Sequence, residues 1–325
     1  MRILITGVTG FVGPHLVGEL HRADPTSEIY GLTWGSFDRQ ALENAAPGIR
    51  LIEGDLVQEA SIEKLLTDSR PDVIYHLAAA SSVARSWEAA ALSLEINAMG
   101  TARLFAEILR QKLDPLIVIS STAEIYGRVE SATPIGETTP IAPVSPYGTS
   151  KAAQDLLSAQ FHAGRGLATI RVRFFHLTGP GRPPHFVASS FARQIARIEL
   201  GLAPATLSVG NLESVRDFTD VRDAVRACRL VTDRSHAGEV FNVCSGRAIV
   251  ISNVVDRLME MSRCDLAVEF DPERARLADI PWMVGDPAKI KAATGWRAEI
   301  PLEQTLGDLL DWWRERESEE STVNS

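Results

Sequence analysis

The chain has 325 residues, 45% hydrophobic and 23% charged, with 33 Lys and Arg against 42 Asp and Glu for a formal charge of −9. This composition is ordinary for a soluble globular protein and excludes disordered, collagenous and low-complexity classes; the length suits two domains, or one large α/β unit with an appended lobe. The acidic balance argues against nucleic acid or an anionic membrane as the main partner and leaves room for a local basic pocket that takes one anionic small molecule. Cys228, Cys244 and Cys264 fit no metal-ligand spacing, and their odd number argues against a disulfide framework, which places the protein in a reducing, cytoplasmic compartment. No apolar stretch reaches the roughly 18 residues of a transmembrane helix, and Thr6, Gly7, Thr9, Gly10 and Gly13 break the apolar N-terminus so that it does not read as a signal peptide.

Residues 2–6 form a short apolar run stopped by Gly7, which suits a strand buried on both faces. From Phe11 to Leu20 the apolar spacing becomes helical. Further apolar runs lie at 28–32, 72–78, 115–119, 168–174 and 239–244, with longer helical patterns between them at 88–111 and 147–161. Strands alternating with helices predict an α/β fold, a Rossmann-type doubly wound parallel sheet with right-handed crossovers. Two Gly/Pro-rich loops, 126–146 and 176–188, follow strands at the sheet edge where ligands of such folds bind. After about residue 180 the alternation becomes irregular, which predicts a smaller C-terminal lobe. The expected division is residues 1–175 with about 220–250 as the dinucleotide-binding domain, about 176–219 and 251–313 as the substrate lobe, and 314–325, polar and without an apolar face, as a frayed tail.

Gly7-Val-Thr-Gly10-Phe-Val-Gly13 lies between the first strand and the first helix. Gly7 allows the tight turn, Gly10 the approach of a pyrophosphate, and Gly13 close packing of helix on strand, with the helix N-terminus facing the negative charge. At the end of the second strand an acid would bind the ribose hydroxyls of NAD, and an Arg the 2′-phosphate of NADP. Neither stands at Gly31-Leu32-Thr33-Trp34; the missing carboxylate leans the reading to NADP, with NAD as the alternative. Asp55, where a third strand ends, suits an adenine contact or a solvated loop acid. Ala78-Ala79-Ala80 closes the fourth strand with side chains small enough for the backbone to lie against a cofactor.

Tyr147-Gly-Thr-Ser-Lys151 puts Tyr and Lys at i and i+4 on one helix face. A nearby ammonium lowers a phenol pKa from about 10, so that the Tyr exchanges a proton with a sugar or alcohol oxygen. Upstream, Ser120-Ser121-Thr122-Ala-Glu124 ends the fifth strand beside the helix that carries Tyr147. If the chain is still extended there, Thr122 and Glu124 point the same way, toward the substrate.

This order of motifs resembles the extended short-chain dehydrogenase/reductase superfamily, which acts largely on nucleotide sugars. Ser-Pro-Tyr147-Gly-Thr-Ser-Lys151, Phe-Ala-Arg193-Gln-Ile-Ala, the 210–223 stretch with Arg216-Asp217 and Asp220-Val-Arg222-Asp223, and Val-Phe-Asn242-Val-Cys-Ser-Gly246 look most like GDP-6-deoxy-D-mannose reductases, close relatives of GDP-mannose 4,6-dehydratases. The resemblance implies that Tyr147 is the general acid–base, that Lys151 holds the nicotinamide ribose, and that Thr122 bonds the oxygen at carbon 4. It implies a cofactor site of Gly7, Thr9, Gly10, Phe11, Val12, Gly13, Trp34, Asp55, Leu56, Leu77, Ala78, Ala79, Ser120, Tyr147, Lys151 and Phe174. It further implies substrate contacts from Ser82, Thr122, His176, Arg193, Arg216 and Arg276, the last two arginines gripping the diphosphate or the nucleoside. His176 and Trp34 depart from the family, which usually has Asn and Arg at these places. Thr122-Ala-Glu124 fits the dehydratase pattern, in which Glu removes the carbon-5 proton.

The expected function is NAD(P)-dependent reduction of the 4-keto group of GDP-4-keto-6-deoxy-D-mannose to GDP-6-deoxy-D-mannose (GDP-D-rhamnose). A dehydratase acting on GDP-mannose is the first alternative; an epimerase and a non-catalytic cofactor-binding regulator follow. The resemblance implies a homodimer through helices 88–111 and 147–163, where Ala89, Ala90, Ala91, Ala152 and Ala153 would permit close helix approach or instead pack on the protein's own sheet.

Overall fold

The computed structural model describes residues 1–35, 37–129, 132–274 and 280–323. Seven parallel strands form the central sheet: β1 (Arg2–Thr6), β2 (Glu28–Thr33), β3 (Arg50–Glu53), β4 (Val73–His76), β5 (Leu116–Thr122), β6 (Ala168–Phe174) and β11 (Val240–Val243). Their order is β11-β6-β5-β4-β1-β2-β3, the expected Rossmann-type sheet. Chain progression reverses between β1 and β4, so the strand ends there open a ligand crevice.

Both faces of the sheet are covered, and period-2 alternation sorts the side chains between them. Ile3, Ile5, Val118 and Val172 pack with Leu16, Val17 and Leu20 of the Val12–Ala23 helix and with Ala224, Val225 and Cys228 of the Val221–Val231 helix. Leu4, Ile74, Ile117 and Ile119 face the other way, onto Ile62, Leu65 and Leu66 and onto Leu104, Phe105 and Ile108. Each such aliphatic side chain contributes on the order of 1.5–3 kcal/mol when fully buried.

The remaining strands are short: β7 (His176–Thr178), β8 (Thr206–Val209), β9 (Val215–Arg216), β10 (Phe218–Asp220), β12 (Ile249–Val250), β13 (Ala267–Phe270) and β14 (Trp282–Met283). A separate core joins β8, β10 and β12 to three helices through Phe191, Ile195, Leu207, Phe218, Ile249, Val254, Leu258, Leu306, Leu310 and Trp313. Asp217, fully buried between β9 and β10, ties this region together. Its carboxylate accepts from Ser245 N (2.7 Å) and Oγ (2.6 Å), Gly246 N (2.9 Å) and Gly285 N (3.2 Å).

Two expectations are corrected. The frayed tail expected over 314–325 is helical as far as it is described: a helix runs Leu302–Val323, and residues 324–325 lie outside the described residues. Glu317 on it is 1% exposed and pairs with Arg193 and Arg197, while Arg314 pairs with Glu199. These partners lie more than 100 residues upstream, so local polarity concealed them. The helical pattern at 88–111 is also interrupted. Val83–Glu88 is a separate helix, and between Ala90–Leu94 and Gly100–Arg110 the chain widens into a π-turn over Glu95–Met99. Such turns frequently mark functional sites. This one carries Asn97, which accepts from Ala80 N (2.8 Å) and donates to Ser150 Oγ (2.8 Å).

Candidate active site

The glycine turn leads from β1 into the Val12–Ala23 helix. Gly7 has φ +70°, and a Cβ there would lie 2.7 Å from the backbone of Ala78, so the turn requires glycine. A Cβ on Gly13 would stand 2.0 Å from Val8 O, which explains the close seating of the helix on the strand. Gly10 meets only Gly7 O at 3.3 Å and is open beyond it. Among the described residues no side chain caps the helix at Phe11, and its first turn holds no acid. The positive end of its dipole therefore suits an anion such as a dinucleotide pyrophosphate.

Thr9, Phe11 and Val12 belong to this turn, and half-buried Leu77, Ala78 and Ala79 follow β4 directly opposite Gly7. Trp34, at the end of β2, is 72% exposed. The nearest acid, Asp38, caps the Arg39–Ala45 helix by accepting from Ala41 N (3.0 Å). Asp55 accepts from Val57 N (3.0 Å) beside buried Leu56. Ser82 caps the Val83–Glu88 helix through Arg85 N (3.2 Å).

Tyr147 and Lys151 lie one turn apart on the Pro146–Arg165 helix, which Ser145 caps through Gly148 N (3.0 Å), with Pro146 at its first position. A Cβ on Gly148 would meet Glu124 O at 2.9 Å, so glycine lets the helix start against the end of β5. Tyr147 is 9% exposed. Burial pushes its phenol up to about 12, opposed by a hydrogen bond with Thr122, aided by the charge of Glu124, and opposed again by Arg182. Thr122 Oγ1 also accepts from Glu124 N (3.3 Å).

Thr122 and Glu124 do not alternate along a strand as expected. β5 ends at Thr122 and the chain tightens into a 3₁₀ turn over Ala123–Ile125; the turn still brings Glu124 beside Tyr147 electrostatically. Lys151 differs from expectation as well. Its ammonium donates to Ser120 O and, at 2.5 Å, to Gln154 Oε1. Burial, opposed by Asp155, draws its pKa down to about 7. The charge of Arg182 favours the ionised form of Tyr147 against its burial.

Arg182 is the site residue that sequence reasoning missed. It stands in the Gly/Pro-rich loop after β7. Its guanidinium carbon lies 4.8 Å from the Phe11 ring centre and 3.3 Å from that of Phe186. Its Nε is buried with no hydrogen-bond partner, and burial lowers its pKa to about 9. The loop is pinned by His15 Nε2 on Pro180 O (2.9 Å) and by Arg182 N on Gly179 O (3.1 Å). Burial and the cations Arg182 and Arg85 lower the pKa of neighbouring His185. A cation with a buried, unpartnered Nε, without a described ion pair, suits an anion bound beside the fingerprint turn. A lone Arg in the run Gly179-Pro-Gly-Arg182-Pro-Pro was the available signal.

The remaining candidates are spread over the lobe. Phe174 ends β6 buried, and His176 packs edge-on against Phe218 (5.9 Å). Arg216 is 5% exposed on β9 and donates to Val215 O (2.9 Å). Arg193, expected as a substrate contact, pairs through Nε with buried Glu317 at 2.5 Å and lies over Trp313, with its side chain 35% exposed. Arg276 lies outside the described residues.

Fold and site define an NAD(P)-dependent enzyme of the nucleotide-sugar dehydratase and reductase class. The pattern of the GDP-mannose 4,6 dehydratase family matches residues 4–309, and the chain belongs to that family. It is 33% identical to the GDP-6-deoxy-D-mannose reductase of Pseudomonas aeruginosa over 320 residues, 98% of this chain and 99% of that one. It is 28% identical to the GDP-mannose 4,6-dehydratase of Yersinia enterocolitica, over 95% of this chain and 92% of that one. Among solved structures, RMD from Pseudomonas aeruginosa complexed with NADPH matches with a TM-score of 0.83 and 32% identity over 97% of this chain and 100% of that one. DesIV, a dTDP-glucose 4,6-dehydratase from Streptomyces venezuelae with NAD and TYD bound, matches with a TM-score of 0.87 and 27% identity over 98% of each chain.

Proposed function

We propose that the protein reduces the 4-keto group of GDP-4-keto-6-deoxy-D-mannose to GDP-6-deoxy-D-mannose. The observation that carries this reading is Tyr147, enclosed, bonded to Thr122 and held as the phenol, the form that gives a proton to an oxygen gaining charge. The full-length likeness to a GDP-6-deoxy-D-mannose reductase supports the sugar and the direction. The nicotinamide, when bound, supplies the hydride. Thr122 orients the carbon-4 oxygen, Tyr147 protonates it, and Lys151 fixes the ribose. The turn at Gly7–Gly13 holds the cofactor's pyrophosphate, and Arg216 grips the substrate diphosphate.

Arg182 fits the same reading as a cation for the cofactor's diphosphate. Arg182→Gln should weaken NADPH binding by roughly 10- to 150-fold, the worth of a charged hydrogen bond of about 1.5–3 kcal/mol, in a fluorescence titration. Unchanged affinity would leave Arg182 as a packing element between Phe11 and Phe186.

Glu124 beside Tyr147 favours a second reading, dehydration of GDP-mannose, in which the carboxylate removes the carbon-5 proton. Glu124→Gln separates the two. For a reductase, 4-keto reduction should stay within about tenfold of wild type, because Gln keeps size and hydrogen bonding. For a dehydratase, release of the 4-keto-6-deoxy product from GDP-mannose should nearly vanish.

A homodimer fits the exposed apolar residues Leu92, Leu94, Met99 and Leu156, each 40–55% exposed on the 90–99 segment and the Pro146–Arg165 helix. A cytoplasmic location fits the free thiols Cys228, Cys244 and Cys264. Among the described residues no helix is long and apolar enough to cross a membrane.

A further inference from the structure

Behind the Tyr147 face a buried polar chain runs from Lys151 to side chains that the reaction does not use. Lys151 is 1% exposed, and Gln154, Thr101, His76 and Thr6 are each fully buried. They come from the Pro146–Arg165 helix, the Gly100–Arg110 helix, β4 and β1. Lys151 Nζ donates to Gln154 Oε1 (2.5 Å), and Gln154 Nε2 donates to Thr101 Oγ1 (2.8 Å). Thr101 Oγ1 donates to Asn97 O (2.7 Å) in the π-turn. His76 Nε2 lies 2.9 Å from Thr101 Oγ1, and His76 Nδ1 lies 2.8 Å from Thr6 Oγ1. Ala78 N donates to Thr6 Oγ1 (3.3 Å) at the strand end facing the glycine turn.

With the Thr101 hydroxyl proton on Asn97 O, the directions in the rest of the chain follow. A hydroxyl has one proton to give. Thr101 gives its proton to Asn97 O, so it accepts from both Gln154 and His76. His76 therefore carries its proton on Nε2, and its Nδ1 accepts from Thr6. Thr6 in turn accepts from Ala78 N. Gln154 must turn its carbonyl to Lys151, since an ammonium offers only donors. The amide end of Gln154 is thus locked by a threonine with no other hydrogen to offer, and its oxygen can only face the lysine.

We infer that Gln154 is a positioning residue for Lys151: the chain Thr6–His76–Thr101 holds its amide so that its carbonyl aims the lysine ammonium and favours the charged form. This rests on the reading of Lys151 as part of the catalytic site. The arrangement is a fixed scaffold and not a proton relay. His76 has both nitrogens committed, and burial followed by the Lys151 charge draws its pKa down to about 3. Burial works against the Lys151 charge, so each acceptor set against the nitrogen counts. The other groups around Lys151 are Tyr147 and Asp155 on its own helix, His76 on β4 and neutral Thr101 on the Gly100–Arg110 helix. Arg173 of β6 occupies Asp155, and Glu124 and Arg182 act on Tyr147.

The test compares Gln154→Met, Gln154→Glu and Lys151→Met by the pH dependence of NADPH affinity and of 4-keto reduction. Gln154→Met removes the acceptor, so the alkaline limb of both profiles should move to lower pH by about one unit, as expected for one charge-assisted hydrogen bond. Gln154→Glu sets a carboxylate against the ammonium and should move the limb the opposite way. A role limited to packing would lower the melting temperature and leave the limb in place, and that result, or movement of both limbs in one direction, would overturn the proposal. If Gln154→Met does not fold, the upward shift in Gln154→Glu decides alone. Lys151→Met keeps the two ideas apart. Wild-type affinity and turnover in that variant would sink the catalytic reading of Lys151, whereas their loss together with unmoved Gln154 limbs would sink the role of Gln154 alone.

Discussion

Tyr147→Phe should cut turnover by about 10²–10⁴-fold, the usual contribution of a general acid or base, while the protein folds and binds NADPH as before. The ring is buried at the start of the Pro146–Arg165 helix, and Phe keeps its volume and its contacts. Only the hydroxyl is lost, and with it the hydrogen bond to Thr122. Thr122 retains its bond from Glu124 N, so the end of β5 stays in place. Burial keeps the phenol protonated at neutral pH, and its hydrogen bond with Thr122 holds the hydroxyl at the end of β5. Wild-type turnover in Tyr147→Phe, measured on the 4-keto sugar with NADPH, would remove Tyr147 from the mechanism.

The largest stability effect is expected at Arg173. Its Nε and Nη2 hold both oxygens of Asp155 at 3.0 and 2.8 Å, with both side chains buried. Its Nη1 donates to Tyr126 Oη (2.9 Å) and Glu137 O (3.1 Å). One guanidinium therefore fastens the helix of Tyr147 and Lys151 to β6 and anchors the 126–146 loop. Arg173→Met leaves Asp155 buried with Arg171 at 3.4 Å as its cation among the described residues, and should cost about 3–5 kcal/mol in chemical denaturation. The further change Asp155→Leu should recover much of that loss, because an apolar pair removes the stranded charge. A loss below about 1 kcal/mol in the single variant, the range of an exposed pair, would show that the pair is not what holds the helix.

The pH dependence has a definite sign. Burial raises the Asp155 carboxyl, and Arg173 overcomes it to leave the pKa lowered. Its contribution to stability is therefore full above the unfolded value of about 4 and disappears as pH falls through the lower folded value. In Arg173→Met burial prevails and the folded pKa rises above the unfolded one. The damage should then be greatest at neutral pH and shrink on acidification toward about pH 4.

The parts of the molecule legible in the sequence are those set by neighbours along the chain. The apolar runs, the Gly7–Gly13 turn and the Tyr147–Lys151 pair are local patterns with a fixed physical period or spacing, and each lies on the element it predicted. Arg182, Gln154 and Glu317 were not legible because their partners are distant in sequence. Arg182 acquires its setting only when its loop folds over Phe11. Gln154 reaches Thr101 and, through it, His76. Glu317 meets Arg193 across 124 residues. The turn at Glu124 is a different case. Its residues fit an extended strand as well as a 3₁₀ turn, and the close approach of Gly148 to the Glu124 carbonyl goes with the turn.

The central claim is that this site gives a proton and a hydride to a 4-keto sugar and does not dehydrate its parent. The direct measurement presents the purified protein with GDP-4-keto-6-deoxy-D-mannose and NADPH or NADH, and separately with GDP-mannose and no added cofactor. The expected result is consumption of the reduced cofactor with formation of GDP-6-deoxy-D-mannose in the first reaction, and no 4-keto product in the second. Steady formation of 4-keto-6-deoxy product from GDP-mannose, lost in Glu124→Gln, would contradict it.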